Sequence, residues 1–188
     1  MIFRQLKEKD APLIVSWMKD PAVNCFFRFD PEKITVESQI AFINAAMDQT
    51  INAHFACADD DDTYLGTVSL KHIDPINRNA EYAVGFRKSA HGRGAARFAT
   101  RELLRYAFEE RGLERVYLSA MASNPRACLF YEKAGFVLEG VSRKHFYSHG
   151  AFCDMNNYAI LREEYLSLPP CPPPDPAAEA GLGKERSL

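Results

Sequence analysis

The stretch Glu81-Tyr-Ala-Val-Gly-Phe-Arg-Lys-Ser-Ala-His-Gly-Arg-Gly-Ala-Ala96 decides how this chain is read. Ala80–Phe86 is a short apolar run bounded by polar residues, which predicts a strand. A loop carrying Gly92 and Gly94 follows, and then the strongest helical segment of the chain. From Gly94 to Arg111, residues Ala96, Ala99, Leu103, Tyr106 and Ala107 fall on one stripe, and Gly112 supplies the stop. Backbone N–H groups of His91, Gly92, Arg93, Gly94, Ala95 and Ala96 would converge at the positive end of the helix dipole, a ready site for a diphosphate. Gly-x-Gly before a helix serves plain turn geometry as well, so both readings stand at this point. The loop is no P-loop, because no Gly-Lys-Ser/Thr follows. It is no dinucleotide fingerprint either, because Arg97 occupies the third glycine position.

Toward the N-terminus, Ile2–Leu6 reads as a strand and Ala11–Lys19 as a helix capped by Asp10, with Pro12 in its first turn and Pro21 as its stop. A second helix is expected from Val36 to Met47. The period then changes to two: Ala53–Ala58 and Tyr64–His72 form a hairpin around the turn Asp59–Asp62, whose four aspartates fit no calcium-loop spacing and read as a solvated turn. After the long helix come a strand Arg115–Ala120, a helix Pro125–Ala134 capped by Asn124, and strands Phe136–His145 and Cys153–Leu161. This order is α+β, with hairpins followed by crossovers.

The segment Asn124-Pro-Arg-Ala-Cys-Leu-Phe-Tyr131-Glu-Lys-Ala-Gly-Phe136 makes the reading specific. Together with the glycine loop, it resembles the GNAT superfamily of acetyl-CoA-dependent N-acetyltransferases, in the branch of the RimJ/RimL-type enzymes. The family pattern Asn-x-x-Ala-x-x-x-Tyr-x-x-x-Gly-Phe is met by Asn124, Ala127, Tyr131, Gly135 and Phe136. The family loop Gln/Arg-x-x-Gly-x-Gly/Ala is met by Gly92 and Gly94, with Ser89 departing at its first position, where the family grips pyrophosphate mainly through backbone amides. The resemblance implies a mixed, mostly antiparallel central sheet of about seven strands with about four helices, splayed between the two central strands. It implies acetyl-CoA as cosubstrate and no metal.

Acyl transfer to an amine needs a neutral nucleophile, a stabilised oxyanion and a proton for the departing thiolate. By resemblance, Val84, Gly85 and Phe86 line the pantetheine arm, and a backbone N–H near Val84 meets the thioester carbonyl; Gly85 suits a bulge there. Asn124 doubles as helix cap and coenzyme contact. Tyr131 matches the tyrosine that protonates the coenzyme thiolate, while an isolated tyrosine on a helix reads simply as core packing. Glu81 matches the glutamate that deprotonates the amine, and it reads equally as a solvent-facing strand carboxylate. Tyr82 and Asp154 are alternatives for the base. The acceptor is expected between Asn24–Lys33 and His145–Ala151, with Phe27, Arg28 and Tyr147 as candidate contacts. Neither segment is acidic enough for a polyamine, which favours an N-terminal peptide amine or an amino sugar. A catalytically idle acyl-CoA-binding module is the alternative.

Composition bounds the rest. The chain has 188 residues, 47% apolar and 26% charged, enough for one ordinary domain. A formal net charge of −2 gives no long-range attraction for nucleic acid or an anionic membrane. No apolar run approaches the ~20 residues of a membrane span, and the five scattered cysteines read as reduced thiols in a cytoplasmic protein. Six of eleven prolines lie after Ser167. Residues 1–166 therefore read as the domain and 167–188 as a Pro-rich disordered tail. No leftover apolar stripe distinguishes a monomer from a homodimer.

Overall fold

The element order expected from the sequence is the order found, with one helix added at the end. The computed structural model describes residues 1–21, 30–148 and 150–169. The strands are β1 (Ile2–Gln5), β2 (Ala53–Ala58), β3 (Tyr64–Asp74), β4 (Asn79–Phe86), β5 (Arg115–Met121), β6 (Val137–Ser148) and β7 (Ala151–Leu161). Among the described residues the helices are α1 (Ala11–Met18), α2 (Val36–Ala45), α3 (Ala95–Arg105), α4 (Pro125–Lys133) and α5 (Arg162–Ser167). All seven strands form one sheet in the order β1-β2-β3-β4-β5-β7-β6. Every neighbouring pair is antiparallel except the central β4–β5.

That parallel pair positions the site. It holds through only Asn79↔Arg115, Ala80↔Val116 and Glu81↔Tyr117. Beyond Glu81, β4 stays registered with β3 up to Phe86, while β5 stays registered with β7 up to Met121. The two strands therefore diverge from one vertex, and among the described residues the β5-side edge of Tyr82–Phe86 lacks a ladder partner.

Strand alternation sends the two faces to different cores. Phe55, Cys57, Val68, Tyr82 and Val116 pack with Leu103 and Phe108 behind α3, whereas Ala56 and Tyr64 pack with Ile14, Trp17 and Ile43 of α1 and α2. The long helix does not run straight to Arg111. After Arg105 it widens to a π-helical turn over Tyr106–Glu110, closed by Arg111 N–H to the Tyr106 carbonyl at 3.0 Å. Leu168 packs against the first of these cores and lies over Gly135, where a Cβ would come within 2.8 Å of it. The packed chain thus reaches two residues past the boundary expected at 166.

Two polar expectations change. Asp10 precedes α1 without capping it: its carboxylate accepts Lys7 N–H (2.9 Å) and both guanidinium nitrogens of Arg4 (2.7 and 2.9 Å), holding the short turn that leads into the helix. The aspartate turn is also more than solvated. Asp59 accepts the N–H groups of Asp61 and Thr63, and Asp62 binds Arg4, Lys7 and Lys9, which hold its carboxyl well below the usual carboxylate range.

His54, buried between Ser69 (Nδ1 to Oγ, 2.7 Å) and the edge of Phe42, carries a pH signature. Burial, helped by Lys71, lowers its imidazole to about 4. The unfolded chain takes up that proton near the ordinary value of 6.5 and the folded chain only near 4. Stability present above pH 6.5 therefore drains as pH falls toward 4, by up to about 3 kcal/mol. Urea midpoints at pH 7 and 4.5 are expected to converge in His54→Gln relative to the unsubstituted protein.

Candidate active site

The glycine loop lies where β4 hands over to α3. A short 3-10 turn, Lys88–Ala90, leads to Gly92 and Gly94, whose φ angles of +78° and +75° place both in the left-handed region that glycine adopts without strain. A Cβ at either position would meet nothing within 4 Å, so backbone conformation, not crowding, requires glycine here. The first helical hydrogen bond is Phe98 N–H to the Gly94 carbonyl at 3.0 Å, which leaves the N–H groups of Ala95, Ala96 and Arg97 ahead of the ladder. His91 N–H differs from the expectation: it is spent on the Lys88 carbonyl at 3.1 Å, and Arg93 N–H reaches the Ala90 carbonyl at 3.4 Å. Of the residues expected to form a cradle, Gly92, Gly94, Ala95 and Ala96 keep N–H groups with no backbone partner among the described residues. His91 is exposed, yet partial desolvation and then the charge of Arg126, at the start of α4, lower its pKa, so the two sequence motifs converge in space.

Asn124 caps α4 as expected, its Oδ1 accepting Ala127 N–H at 3.1 Å. One further turn along that helix sits Tyr131. Its ring meets those of Tyr82 (6.0 Å), Phe130 (5.5 Å), Phe136 (6.0 Å) and Tyr158 (6.1 Å). Burial pushes its phenol up to about 12. Among the described residues no hydrogen-bond partner meets the hydroxyl. Tyr131 is thus a packed ring with an uncommitted polar tip, an arrangement compatible with either reading. Cys128, one turn before it, is buried and accepts Asn156 Nδ2 at 3.6 Å.

On β4, Val84 is half-buried on the α3 side, and Phe86 is buried there over Gly66. Gly85 forms no bulge, because the β3–β4 register runs unbroken from Phe86 to Glu81. Its missing side chain makes room for α1: a Cβ would lie 2.6 Å from the Trp17 ring. That indole donates from Nε1 to the Tyr64 hydroxyl at 3.0 Å, which meets Thr67 Oγ1 at 2.7 Å. Trp17 escaped sequence reading because only the glycine opposite explains its place.

Glu81 is the last β4 residue paired with β5, so it stands at the vertex of the splay. It is partly exposed, and its Oε2 lies 3.1 Å from His72 Nδ1. The alternatives for the base fare worse. Tyr82 is buried, tied to Thr100 Oγ1 at 2.7 Å and pushed far above its ordinary pKa by burial; Asp154 accepts Lys144 N–H at 2.7 Å in the last hairpin. That hairpin is less of a loop than expected, because strand structure runs to Ser148 and resumes at Ala151. Tyr147 is exposed there and packs on Phe152 at 5.0 Å. Phe27 and Arg28 lie outside the described residues.

The family model described as an acetyltransferase (GNAT) domain matches residues 1–137. The chain belongs to the GNAT acetyltransferase family. A putative ribosomal N-acetyltransferase of Bacillus subtilis is 35% identical to this GNAT chain over 105 residues, 56% of this chain and 57% of that one. A spermidine N(1)-acetyltransferase of Vibrio cholerae is 33% identical over 113 residues, 60% of this chain and 65% of that one. Each match spans less than two thirds of the relative's length. The spermidine N-acetyltransferase of Vibrio cholerae, solved with CoA and spermine, superposes with a TM-score of 0.80 at 26% identity, covering 88% of this chain and 97% of that one. The splayed GNAT sheet is therefore shared over nearly the whole described fold.

Proposed function

We propose that this protein transfers the acetyl group of acetyl-CoA to a primary amine by direct attack in a ternary complex. The observation that carries the reading is the β4–β5 vertex: a strand edge without a ladder partner among the described residues, a glycine-rich helix start and the uncommitted hydroxyl of a partly buried tyrosine lie about it. The diphosphate rests on the amides of Gly92, Gly94, Ala95 and Ala96, and Asn124 and Arg126 flank it. The pantetheine arm runs along Val84, Gly85 and Phe86, taking the hydrogen bonds that β5 does not. A β4 amide near Val84 steadies the oxyanion in a water-poor cleft.

Tyr131 supplies the hydrogen bond to the departing thiolate. With its phenol near 12 and an ordinary thiol near 8.5, complete transfer of its proton would be uphill by about 5 kcal/mol. Tyr131 therefore stabilises the thiolate as a donor, and the proton finally gained by sulfur comes from the acceptor ammonium through water. Glu81, on the sheet face of α1 and α2, takes the acceptor's proton before attack.

The acceptor side favours a singly charged amine. Glu139 is paired bidentately with Arg115, Asp30 with Lys33, and Asp154 with backbone, which leaves Glu32 as the acceptor-segment carboxylate without an ion pair among the described residues, while Tyr117, Ser119 and Asn157 present neutral groups beside Glu81. A polyamine would need several free carboxylates. An N-terminal peptide amine or an amino sugar fits better, and kcat/KM is expected to be higher for these than for spermidine. A ranking with spermidine first would reverse this assignment. The idle-module reading has no observation in its favour.

The loop assignment is tested through Gly94→Ala. The new side chain sits in open space but at φ +75°, so folding loses only about 1 kcal/mol. Its methyl group lies among the cradle amides, and the Kd for acetyl-CoA is expected to rise about ten-fold by calorimetry. An unchanged Kd would place the diphosphate elsewhere.

A further inference from the structure

We propose that His72 is a positioning residue for the acceptor-side carboxylate: its ring holds one oxygen of Glu81 and turns the other toward the incoming amine. The inference rests on the reading of Glu81 as the base. With the proton on Nδ1, His72 donates to Glu81 Oε2 at 3.1 Å, and among the described residues Glu81 has no other side-chain hydrogen bond.

The backbone is bent to make this contact. Lys71 stands directly opposite Glu81 and shares its face, so in a regular strand His72 would point the other way. Instead the next registered pair is Asp74↔Asn79, three residues on along β3 against two on β4, a bulge of one extra residue. His72 takes up the bend with φ +50°, a left-handed conformation uncommon for non-glycine residues. The bulge is fastened from outside the hairpin: Asn52 Oδ1 accepts His72 N–H at 3.0 Å, and the Ile51 carbonyl accepts Ile73 N–H at 2.8 Å. Bulges of this kind re-aim side chains beside active sites. Here the re-aimed ring lands on the one carboxylate at the vertex of the splay, and 71% of it remains exposed. It can therefore steady the carboxylate without closing the cleft.

The test is turnover of acetyl-CoA with a peptide N-terminal amine in the full chain, comparing H72G, H72N and E81Q. Glycine accepts the left-handed backbone, so H72G removes the ring without adding strain. H72G is expected to lose about ten-fold in kcat, part of the roughly 10²- to 10⁴-fold that a positioned base supplies, with the KM for acetyl-CoA unchanged. Added imidazole is expected to restore part of the loss in H72G and none of it in E81Q. Asparagine also tolerates this backbone, so if H72G fails to fold, H72N is read in its place with a loss of the same order. A wild-type kcat in a folded His72 variant, or a loss that imidazole leaves untouched in H72G, overturns the inference while the Glu81 reading stands. A wild-type kcat in E81Q removes both.

Discussion

Tyr131→Phe is expected to lower kcat about 100-fold, with the KM for acetyl-CoA within two-fold of its starting value and thermal stability unchanged. The substitution keeps the ring that packs on Tyr82, Phe130, Phe136 and Tyr158 and deletes only a hydroxyl that no described residue engages. No buried partner is orphaned, so the usual stability penalty of a lost hydrogen bond is absent. What would disappear is the proposed donor to the thiolate, an interaction that strengthens only as the thioester breaks, so the loss is expected to fall on kcat. The expected size is the lower end of the range for a positioned acid, because water can partly replace the phenol. If the ring were core packing alone, Tyr131→Phe would turn over at the original rate. Steady-state kinetics beside a thermal melt separate these outcomes.

Gly66→Ala is expected to destabilise the fold by about 3 kcal/mol and to weaken acetyl-CoA binding at least ten-fold. A Cβ on Gly66 would lie 2.4 Å from two Phe86 ring atoms and 2.7 Å from the Gly85 carbonyl oxygen, closer than van der Waals contact allows. One of those obstacles is backbone, so rotating the ring alone does not relieve the clash. Phe86 and Gly85 belong to the edge along which the pantetheine arm is proposed to lie, so the same displacement reaches the coenzyme. Urea denaturation and calorimetric titration give the two halves of this prediction. A full loss of stability with an unchanged Kd would dissociate the Phe86 edge from coenzyme binding.

Much of this arrangement is legible in the residues because local chemistry determines it. Asn124 followed by Pro125 specifies a helix start wherever it occurs, and the observed cap to Ala127 is the bond that pattern predicts. Gly92 and Gly94 imply left-handed backbone, which is found. Ala53–Ala58 is bounded by turns and matches its observed strand end to end. The features that escaped depend on partners distant in sequence. Asp10 looks like a cap for α1, yet Arg4 and the Lys7 amide take its carboxylate because β1 brings them within reach. Gly85 suggests a bulge until Trp17, 68 residues earlier, is seen to fill its missing side chain. His72 looks like an ordinary strand residue. Only the register against β4, and the amide taken by Asn52, reveal its turn toward Glu81.

The whole-chain charge of −2 gives no hint of an anionic ligand. In the proposed site, attraction for one would be built locally, from a few amides ahead of the α3 ladder and from Arg126 near His91. High salt is therefore expected to affect acetyl-CoA affinity only modestly, since backbone amides at close range are screened less than exposed side-chain charges.

The meeting of acetyl-CoA with an amine is proposed at the splay between β4 and β5. Its most direct measurement is coenzyme thiol release from acetyl-CoA, followed with and without a peptide bearing a free N-terminus, with the peptide product identified by mass spectrometry. Amine-dependent release matched one for one by acetylated peptide is expected, with both about 100-fold slower in Tyr131→Phe. Tight acetyl-CoA binding with no release across peptides, amino sugars and polyamines would contradict it.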